Sequence, residues 1–454
     1  MKKINIAFLF IILLAGTICF FAFPSEKNEL TTLQIKAESG SPDAEYDLGK
    51  LYRQGQLVEK NDEKAAEWFL KAARKGLGKA QYDLGVLYSR GEGVKQDYIK
   101  AEEWYSKAAS QGISQAQFNL GLSYALGQTG KQDYKLAVEW YQKAAEQGLA
   151  PAQYNLALLY MQGMGVSKNY KKAFNWLLKA AEQNMSKAKT QVGVLYNAGL
   201  GIEKNAEKAL FWFRQSAGSG EPLGQYYVGN AYYYGLTVSQ DYKQAAAWYL
   251  KAAEKKLPYA EYQLGVLNEN GWGMKQDYKK AGFWYQKAAE AGVASAQFNL
   301  SRLYSEGKGV PKDYNESFKW CSKATEQGLA EAQYCLSVFY YLGLGPVQSD
   351  KKKSVAYLKL SAEQGYALAQ SAFADLYLSG EELPQDSIRA YAWYEMAFLN
   401  GANDAKKKQK QIALKLNDTE LKQALALSEE FRKNYVYSSI ENNAKGPGRD
   451  DIIR

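Results

Sequence analysis

An alanine recurs every 36 residues along most of this chain, and it brings the same stretch of sequence with it. The positions are Ala44, Ala80, Ala116, Ala152, Ala188, Gly224 (the one substitution), Ala260, Ala296, Ala332 and Ala369. The last interval alone differs, and it is one residue longer. A fixed period of this length is typical of a chain built from stacked copies of one small unit. We therefore expect an array of repeats and not the separate globular domains that 454 residues would ordinarily suggest.

Each unit has the pattern of a helical hairpin. In the second copy, Ala80, Leu84 and Leu87 fall on one helical face. Gly91 follows where that helix must end, because glycine tolerates the positive φ of a tight exit. Residues 101–109 repeat the helical spacing. A hairpin of this length cannot bury both of its faces alone, so neighbouring copies must stack.

The tryptophans support a packing role for the second helix of each unit. Nine of the ten fall at one frame position: Trp68, Trp104, Trp140, Trp176, Trp212, Trp248, Trp284, Trp320 and Trp393, with Tyr357 standing in once. We interpret them as packing residues and not as ligand contacts. Trp272 lies between Gly271 and Gly273, so we expect it to be exposed and consider it a candidate contact.

The complete motif is A-x-x-x-L-G-x-L-Y-x-x-G-x-G-V-x-x-D-Y-x-K-A-x-x-W-Y-x-K-A-A-x-x-G, in ten copies over residues 44–401. It closely resembles the Sel1-like repeat, a relative of the tetratricopeptide repeat. The resemblance implies an all-α, right-handed α/α superhelical solenoid that acts as an adaptor between proteins. Many bacterial members resemble exported proteins that contact host cells, respond to envelope stress or assemble complexes. An inserted residue around Pro346–Lys353 predicts a local kink or an altered turn.

Catalytic and cofactor signatures are missing from the sequence. The chain has no histidine, which excludes Ser-His-Asp and Cys-His catalysis and every histidine-ligated metal site. Ser186–Lys189 matches the S-x-x-K signature of β-lactamases, but no S-D-N or K-T-G accompanies it, so we interpret the match as chance. We predict a protein that is not an enzyme and holds no cofactor or metal. The alternative is an envelope-acting hydrolase with peptidoglycan or β-lactam substrates.

The net charge of +9 is interleaved along the helices, which does not suggest a nucleic-acid partner. The lysine-rich stretch Ala405–Lys415 is interpreted as a polar capping helix, with binding to anionic lipid or an acidic partner as the alternative. Residues 402–435 are assigned to C-terminal capping helices, and 436–454 to a disordered tail.

The N-terminus predicts export. Lys2 and Lys3 precede an uncharged apolar run, so residues 1–24 are interpreted as a signal peptide or an N-terminal membrane anchor. Residues 25–43 are assigned to a linker and a capping half-repeat. Either form of the segment would place the repeats outside the cytoplasm, as a periplasmic or a secreted monomer. The uncleaved form would suit a membrane-tethered regulator of a signalling or assembly complex, which is a further alternative.

Two cysteines fall in consecutive units. Cys321 is predicted on the second helix of one unit and Cys335 on the first helix of the next. The turn between them centres near Gly328, so they could lie level across an antiparallel pair and form a disulfide in an oxidising compartment. Two separate thiols are the alternative.

The first helix of each unit should line a concave face, by similarity to tetratricopeptide arrays. Two residues after the anchor alanine the sequence is usually aromatic, as at Tyr46, Tyr82, Phe118, Tyr154, Tyr226, Tyr262, Phe298 and Tyr334. The next position is often polar, as at Asp83, Asn119, Asn155, Gln263 and Asn299. Aromatic rings flanked by amides suit an extended peptide or protein partner. The alternative is that these aromatics pack between helices.

One unit departs from this pattern, with the sequence Q-Y-Y-V-G-N-A-Y-Y-Y-G after Gly224. We expect Tyr226, Tyr227, Tyr233 and Tyr234 all to project from the first helix toward the partner. This tyrosine-rich unit is therefore the hypothesised centre of the binding site.

Overall fold

The computed structural model describes residues 26–435, and in this range the chain forms 23 helices and no strand. The all-helical fold and its repeated helical pairs confirm the predicted class. The helices belong to two compact units, of which one ends at Lys168 and the other begins at Asn169. The predicted signal or anchor segment 1–24 and the tail 436–454 lie outside the described residues. None of the described helices is long and apolar enough to cross a membrane.

The first unit alternates the first and second helices of successive repeats. Its helices are α1 (Glu26–Glu38), α2 (Pro42–Gln54), α3 (Asp62–Arg74), α4 (Gly78–Arg90), α5 (Tyr98–Ser110), α6 (Ser114–Leu126), α7 (Tyr134–Glu146) and α8 (Ala150–Gln162). The even-numbered ones are first helices, which carry the anchor alanine. Helix α1 packs on α2 and covers the buried side chains of Ala44 and Leu48 with Leu30 and Leu33.

The second unit continues the alternation and ends in two additional helices. Its helices are α9 (Tyr170–Glu182), α10 (Ser186–Ala198), α11 (Ala206–Gly218), α12 (Pro222–Tyr234), α13 (Tyr242–Glu254), α14 (Pro258–Asn270), α15 (Tyr278–Glu290), α16 (Ala294–Glu306), α17 (Tyr314–Glu326), α18 (Ala330–Leu342), α19 (Lys351–Glu363), α20 (Ala367–Ser379), α21 (Ser387–Leu399), α22 (Ala405–Ala413) and α23 (Asp418–Tyr435). Even-numbered helices from α10 to α20 are again first helices. Helices α22 and α23 both pack against α21.

Short-range sequence signals set the helix ends. Second helices begin after an Asp or Asn whose side chain accepts a hydrogen bond from the backbone, as Asp97 does from the Lys100 amide at 3.0 Å. This bond satisfies one of the free N–H groups of the first turn. First helices end at a glycine in the left-handed region, such as Gly91 with φ of 71°. The inserted residue of the later repeat lengthens the connection between α18 and α19 and leaves both helices at 13 residues.

In six repeats, the second glycine of the turn brings the repeat against the one before it. A β-carbon on Gly93 would lie 2.0 Å from the carbonyl oxygen of Asp62, and one on Gly309 would lie 2.2 Å from that of Tyr278. Both glycines also have positive φ, of 67° and 74°. In these repeats glycine permits both the close approach and the backbone conformation, whereas Leu57 and Thr237 adopt a φ of 61° at the same frame position.

A relay of buried amides joins the repeats and was not anticipated from the sequence. Gln81 donates to the carbonyl of Ala73 at 3.1 Å and accepts from Gln111 at 2.8 Å. The pattern recurs in both units, and in the first repeat an ion pair replaces it, with Lys75 donating to Glu45 at 2.7 Å. These bonds satisfy polar groups that would otherwise be costly to bury.

The frame tryptophans lie on the second helices, as predicted for packing residues. Trp320 and Trp393 are buried and the other seven are half-buried. A lysine three residues later often covers the exposed side of the ring, for example Lys71 with its ammonium 3.6 Å from the Trp68 ring centre. This arrangement is a cation–π contact between neighbours on one helical face.

The lysine-rich segment takes part in closing the last repeat. Ile412 of α22 is buried, and Lys408 pairs with Asp375 at 2.9 Å. Helix α23 places Tyr435 in a stacked contact with Trp393, with ring centres 5.0 Å apart. The alternative of lipid binding by this segment stays a prediction.

Candidate functional site

Apart from Tyr226, the predicted aromatic row is half-buried, and several of its rings pack on the second helix of their own repeat. The ring centres are 6.1 Å apart for Tyr82 and Tyr105, and 5.6 Å apart for Phe118 and Tyr141. Tyr154, Tyr262 and Phe298 are also half-buried. The row is therefore both a packing element and a partly accessible surface, and we name the surface formed by consecutive first helices within a unit the first-helix face.

The polar residues beside this row join adjacent repeats. Burial raises the pKa of Tyr82 and Tyr105, and hydrogen bonds from Asn119 partly oppose that shift. Asn299 acts in the same way on Tyr262 and Tyr285. The predicted site amides thus already serve intramolecular bonds.

Other members of the polar row bond in the same manner. Asn155 donates to the hydroxyl of Tyr141 at 3.2 Å. Tyr46 donates to Asp83 at 2.9 Å, and Arg53 pairs with the same carboxylate at 3.3 Å. A peptide on this face would have to compete with these bonds, which the sequence pattern does not reveal.

The expectation for Tyr226 is wrong. Its side chain is only 2% exposed and belongs to the hydrophobic core, because Tyr249 and Tyr259 cover it at ring-centre distances of 5.8 and 6.3 Å. Tyr227 does not project either, since it is half-buried and stacks on Phe213 with ring centres 4.4 Å apart. Tyr226 cannot contact a partner without a rearrangement of the core.

Tyr233 and Tyr234 do reach the surface, where they meet two further rings. Tyr234 is 49% exposed and Trp272 is 38% exposed, which confirms the expected exposure of Trp272. Tyr233 contacts Tyr234 at 4.7 Å, Tyr242 at 5.4 Å and Trp272 at 5.9 Å between ring centres, each pair edge to face. We name Tyr233, Tyr234, Tyr242 and Trp272 the aromatic patch.

The patch is assembled from the loop ends of two consecutive repeats. Tyr233 and Tyr234 end α12, Tyr242 begins α13, and Trp272 lies in the turn after α14. Sequence reasoning missed Tyr242, because a tyrosine opens most second helices and carried no special signal there.

The patch differs in hydrogen bonding from two neighbouring phenols. Tyr249 donates to Asn230 at 2.6 Å and Tyr285 donates to Glu269 at 2.7 Å. The hydroxyls of Tyr233 and Tyr234 and the indole N–H of Trp272 donate to none of the residues 26–435.

Two carboxylates near this surface are paired. Glu269 binds Arg302 as well as the Tyr285 hydroxyl, and Glu306 pairs with Lys308 at 2.8 Å. Across the described part of the chain, no group of His, Cys, Asp or Glu is placed to hold a metal ion.

The two cysteines are free thiols in the structure. Cys321 is buried and donates to the carbonyl of Ala332 at 3.2 Å. Cys335 is half-buried, with its sulfur 3.9 Å from the hydroxyl oxygen of Ser301. Burial raises the pKa of the Cys321 thiol. The disulfide between the two residues stays a prediction.

Comparison with known proteins gives one consistent result. The Sel1 repeat model matches ten consecutive segments: 42–77, 78–113, 114–149, 150–185, 186–221, 222–257, 258–293, 294–329, 330–366 and 366–401. A comparison with curated proteins finds no match.

Two solved structures resemble the chain over most of their length. A protective antigen present in uropathogenic Escherichia coli strains, displaying an SLR fold, is 34% identical, with 92% of this chain and 98% of that one covered and a TM-score of 0.61. A Sel1 repeat protein from Oxalobacter formigenes is 30% identical, with 72% and 97% covered and a TM-score of 0.55.

Proposed function

The chain belongs to the Sel1 repeat family, whose arrays are typically protein-interaction modules. On that premise we propose that it is a non-enzymatic scaffold that holds a protein or peptide partner at the aromatic patch of its second unit. Family membership supports the general role. The particular surface is inferred from the aromatic patch.

The observation that carries the proposal is the exposure of Tyr234 and Trp272, each of which contacts the ring of Tyr233. Exposed tyrosine and tryptophan dominate the energetics of protein interfaces, because they give a large contact area at a small cost in side-chain entropy. Tyr226 and Tyr227 act behind this surface, since their packing on Tyr249 and Phe213 fixes the position of α12.

We also propose that the array works outside the cytoplasm, in contact with a host or in assembly at the envelope. The apolar segment at the N-terminus and the likeness to a protective antigen support this location. Fractionation of the native host, with N-terminal sequencing of the recovered protein, tests it. Recovery from the cytoplasm with residues 1–24 intact would overturn it.

Photo-crosslinking in the native host tests the interaction role. A benzophenone amino acid replaces Tyr234 in the full chain, and a matched control carries it in place of Phe211, which is 55% exposed on the second helix α11. We expect a discrete protein adduct from position 234 and none from position 211. Absence of an adduct at 234, or the same adducts at both positions, would contradict the proposed surface.

A further inference from the structure

We propose that the aromatic patch of Tyr233, Tyr234, Tyr242 and Trp272 binds a proline-rich segment of the partner in the polyproline II conformation. The inference rests on the interaction role proposed for this patch and adds the chemical class of the ligand. Ring geometry, hydrogen-bonding capacity and local charge each support it.

The ring geometry provides corners of the right shape. Trp272 stacks on Tyr242 with an interplanar angle of 18°, while Tyr233 meets Trp272 at 62° and Tyr234 at 75°. Rings set at such angles leave apolar corners between their faces. A pyrrolidine ring is compact, apolar and rigid, and a polyproline II helix presents one on each face every three residues, about 9 Å apart. Aromatic-lined surfaces are the usual receptors for such segments.

The hydrogen-bonding groups of the patch favour a ligand that needs donors. The Trp272 indole can only donate, and the hydroxyls of Tyr233 and Tyr234 have no partner among the described residues. Proline residues carry carbonyl groups but no N–H, and the polyproline II helix makes no internal hydrogen bonds. An ordinary extended peptide would also bring N–H donors, for which the phenol oxygens of Tyr233 and Tyr234 would be the acceptors, because the neighbouring carboxylate of Glu269 is already bound to Arg302 and Tyr285.

The connection beside the patch also favours an uncharged ligand, whereas Lys243 and Lys275 lie close to Tyr242 and Trp272 in the sequence. The connection that borders the patch, residues 235–240, reads Gly-Leu-Thr-Val-Ser-Gln and carries no charge. Leu236 within it is 49% exposed. A phosphorylated or acidic segment would require a cluster of arginines, and such recognition uses charge-assisted bonds that this loop cannot provide.

Another repeat provides a natural contrast. Tyr341 occupies the frame position of Tyr233 and is 40% exposed, but the Lys351 ammonium lies 3.7 Å from its ring centre. The lysine covers the ring face that a proline would need. Tyr341 is therefore the matched control for substitutions in the patch.

The test measures binding of a fluorescein-labelled decaproline peptide to the full chain by fluorescence anisotropy. A labelled Gly-Ser peptide of equal length controls for non-specific binding. We expect saturable binding of decaproline alone, weakened at least about tenfold by Trp272→Ala and by Tyr234→Ala, since truncated aromatic hot spots typically cost that much. Tyr234→Phe, which keeps the ring and loses the donor, should weaken it less, and Tyr341→Ala should leave it unchanged. Circular dichroism melting confirms that each variant is folded.

The outcomes separate this inference from the proposed function. No decaproline binding at millimolar peptide, or binding that Trp272→Ala and Tyr234→Ala leave intact, would overturn the proline-rich ligand. If the crosslinker at position 234 still captures a protein, and Trp272→Ala abolishes that capture, the interaction role stands with a different ligand class. If both experiments fail, both proposals fall.

Discussion

The ring of Tyr141 lies directly against Gly121, where a β-carbon would come within 2.8 Å of the ring carbon Cδ1. Six repeats share this contact between a first-helix glycine and a second-helix ring, including Gly85 with Tyr105. Where Cys321 and Leu358 replace the ring, the glycine position holds Ser301 and Ser337. The repeats thus balance the sizes of the two residues, and Ala374 beside Tyr394 is the departure from this rule.

Gly121→Ala should destabilise the protein even though alanine favours helix. The gain in helix propensity of about 1 kcal/mol is outweighed by overpacking that typically costs about 1 to 3 kcal/mol. We expect a lower free energy of unfolding in urea. Adding Tyr141→Leu should recover stability relative to the sum of the two single substitutions. Simple additivity of the two would show that the contact is not the cause.

Gly309→Ala should cost more than Gly292→Ala. Both glycines have positive φ, of 74° and 94°, so both substitutions pay about 1 kcal/mol of backbone strain. A β-carbon at Gly309 also meets the Tyr278 carbonyl, whereas one at Gly292 meets nothing within 4 Å. The melting temperatures of the two variants check this. Equal decreases in melting temperature would mean that the close contact between the turn and the preceding repeat does not add to the cost.

Glu261→Gln should stabilise the protein at pH 7 and have little effect at pH 4. Glu261 is 5% exposed and stands where Gln297 donates to the Ala289 carbonyl in the next repeat. Burial raises its pKa, with Lys287 and Lys256 partly opposing the shift.

The pKa of Glu261 in the folded state therefore lies above its unfolded value of 4.5. Because the fold favours the protonated carboxyl, the contribution of this group to stability is present below pH 4.5 and is lost as the pH rises through the folded pKa. A glutamine removes this loss, and at pH 7 it restores the donor that the protonated carboxyl supplies at pH 4, together worth about 1 kcal/mol. Urea unfolding at both pH values measures the difference. An equal gain at pH 4 and pH 7 would rule out ionisation as its source.

Alkaline pH should unfold the protein cooperatively, with Tyr141 as one contributor. Burial raises the pKa of Tyr141 from 10.0 to about 12, and the hydrogen bond from Asn155 only partly offsets the shift. The neutral phenol is favoured in the fold, so this stability is complete below pH 10 and is lost between about pH 10 and 12. The difference corresponds to about 2 to 3 kcal/mol.

Phenolate absorbance and helical circular dichroism, followed together through this pH range, check the prediction. Tyr141→Phe should lose less stability between pH 9 and pH 11 than the parent chain. If phenolate forms while helicity is retained, the buried tyrosines do not limit alkaline stability.

The repeat period, the helix ends and the packing role of the tryptophans were predictable, because they depend on local rules. Gly91 ends a helix through its own backbone freedom, and Asp97 begins one by capping a residue three positions away. The first-helix aromatics were predicted to line a binding face, with packing between helices as the alternative, and the structure shows all of them except Tyr226 half-buried. The pattern did not predict the role of Asn119 and Asn299, which form hydrogen bonds with tyrosines of the preceding repeat.

The sequence by itself determined the repeat unit, the number of copies and the helical face on which each side chain lies. Tertiary structure alone decided which tyrosines a partner can reach. Tyr226 is buried because Tyr259 of the following repeat lies over it, and Lys351 covers the Tyr341 ring. Tyr234 stays exposed in the patch with Trp272. Exposure depends on the side chain that the neighbouring repeat or connection presents, and the period, which records only what the repeats share, does not specify it.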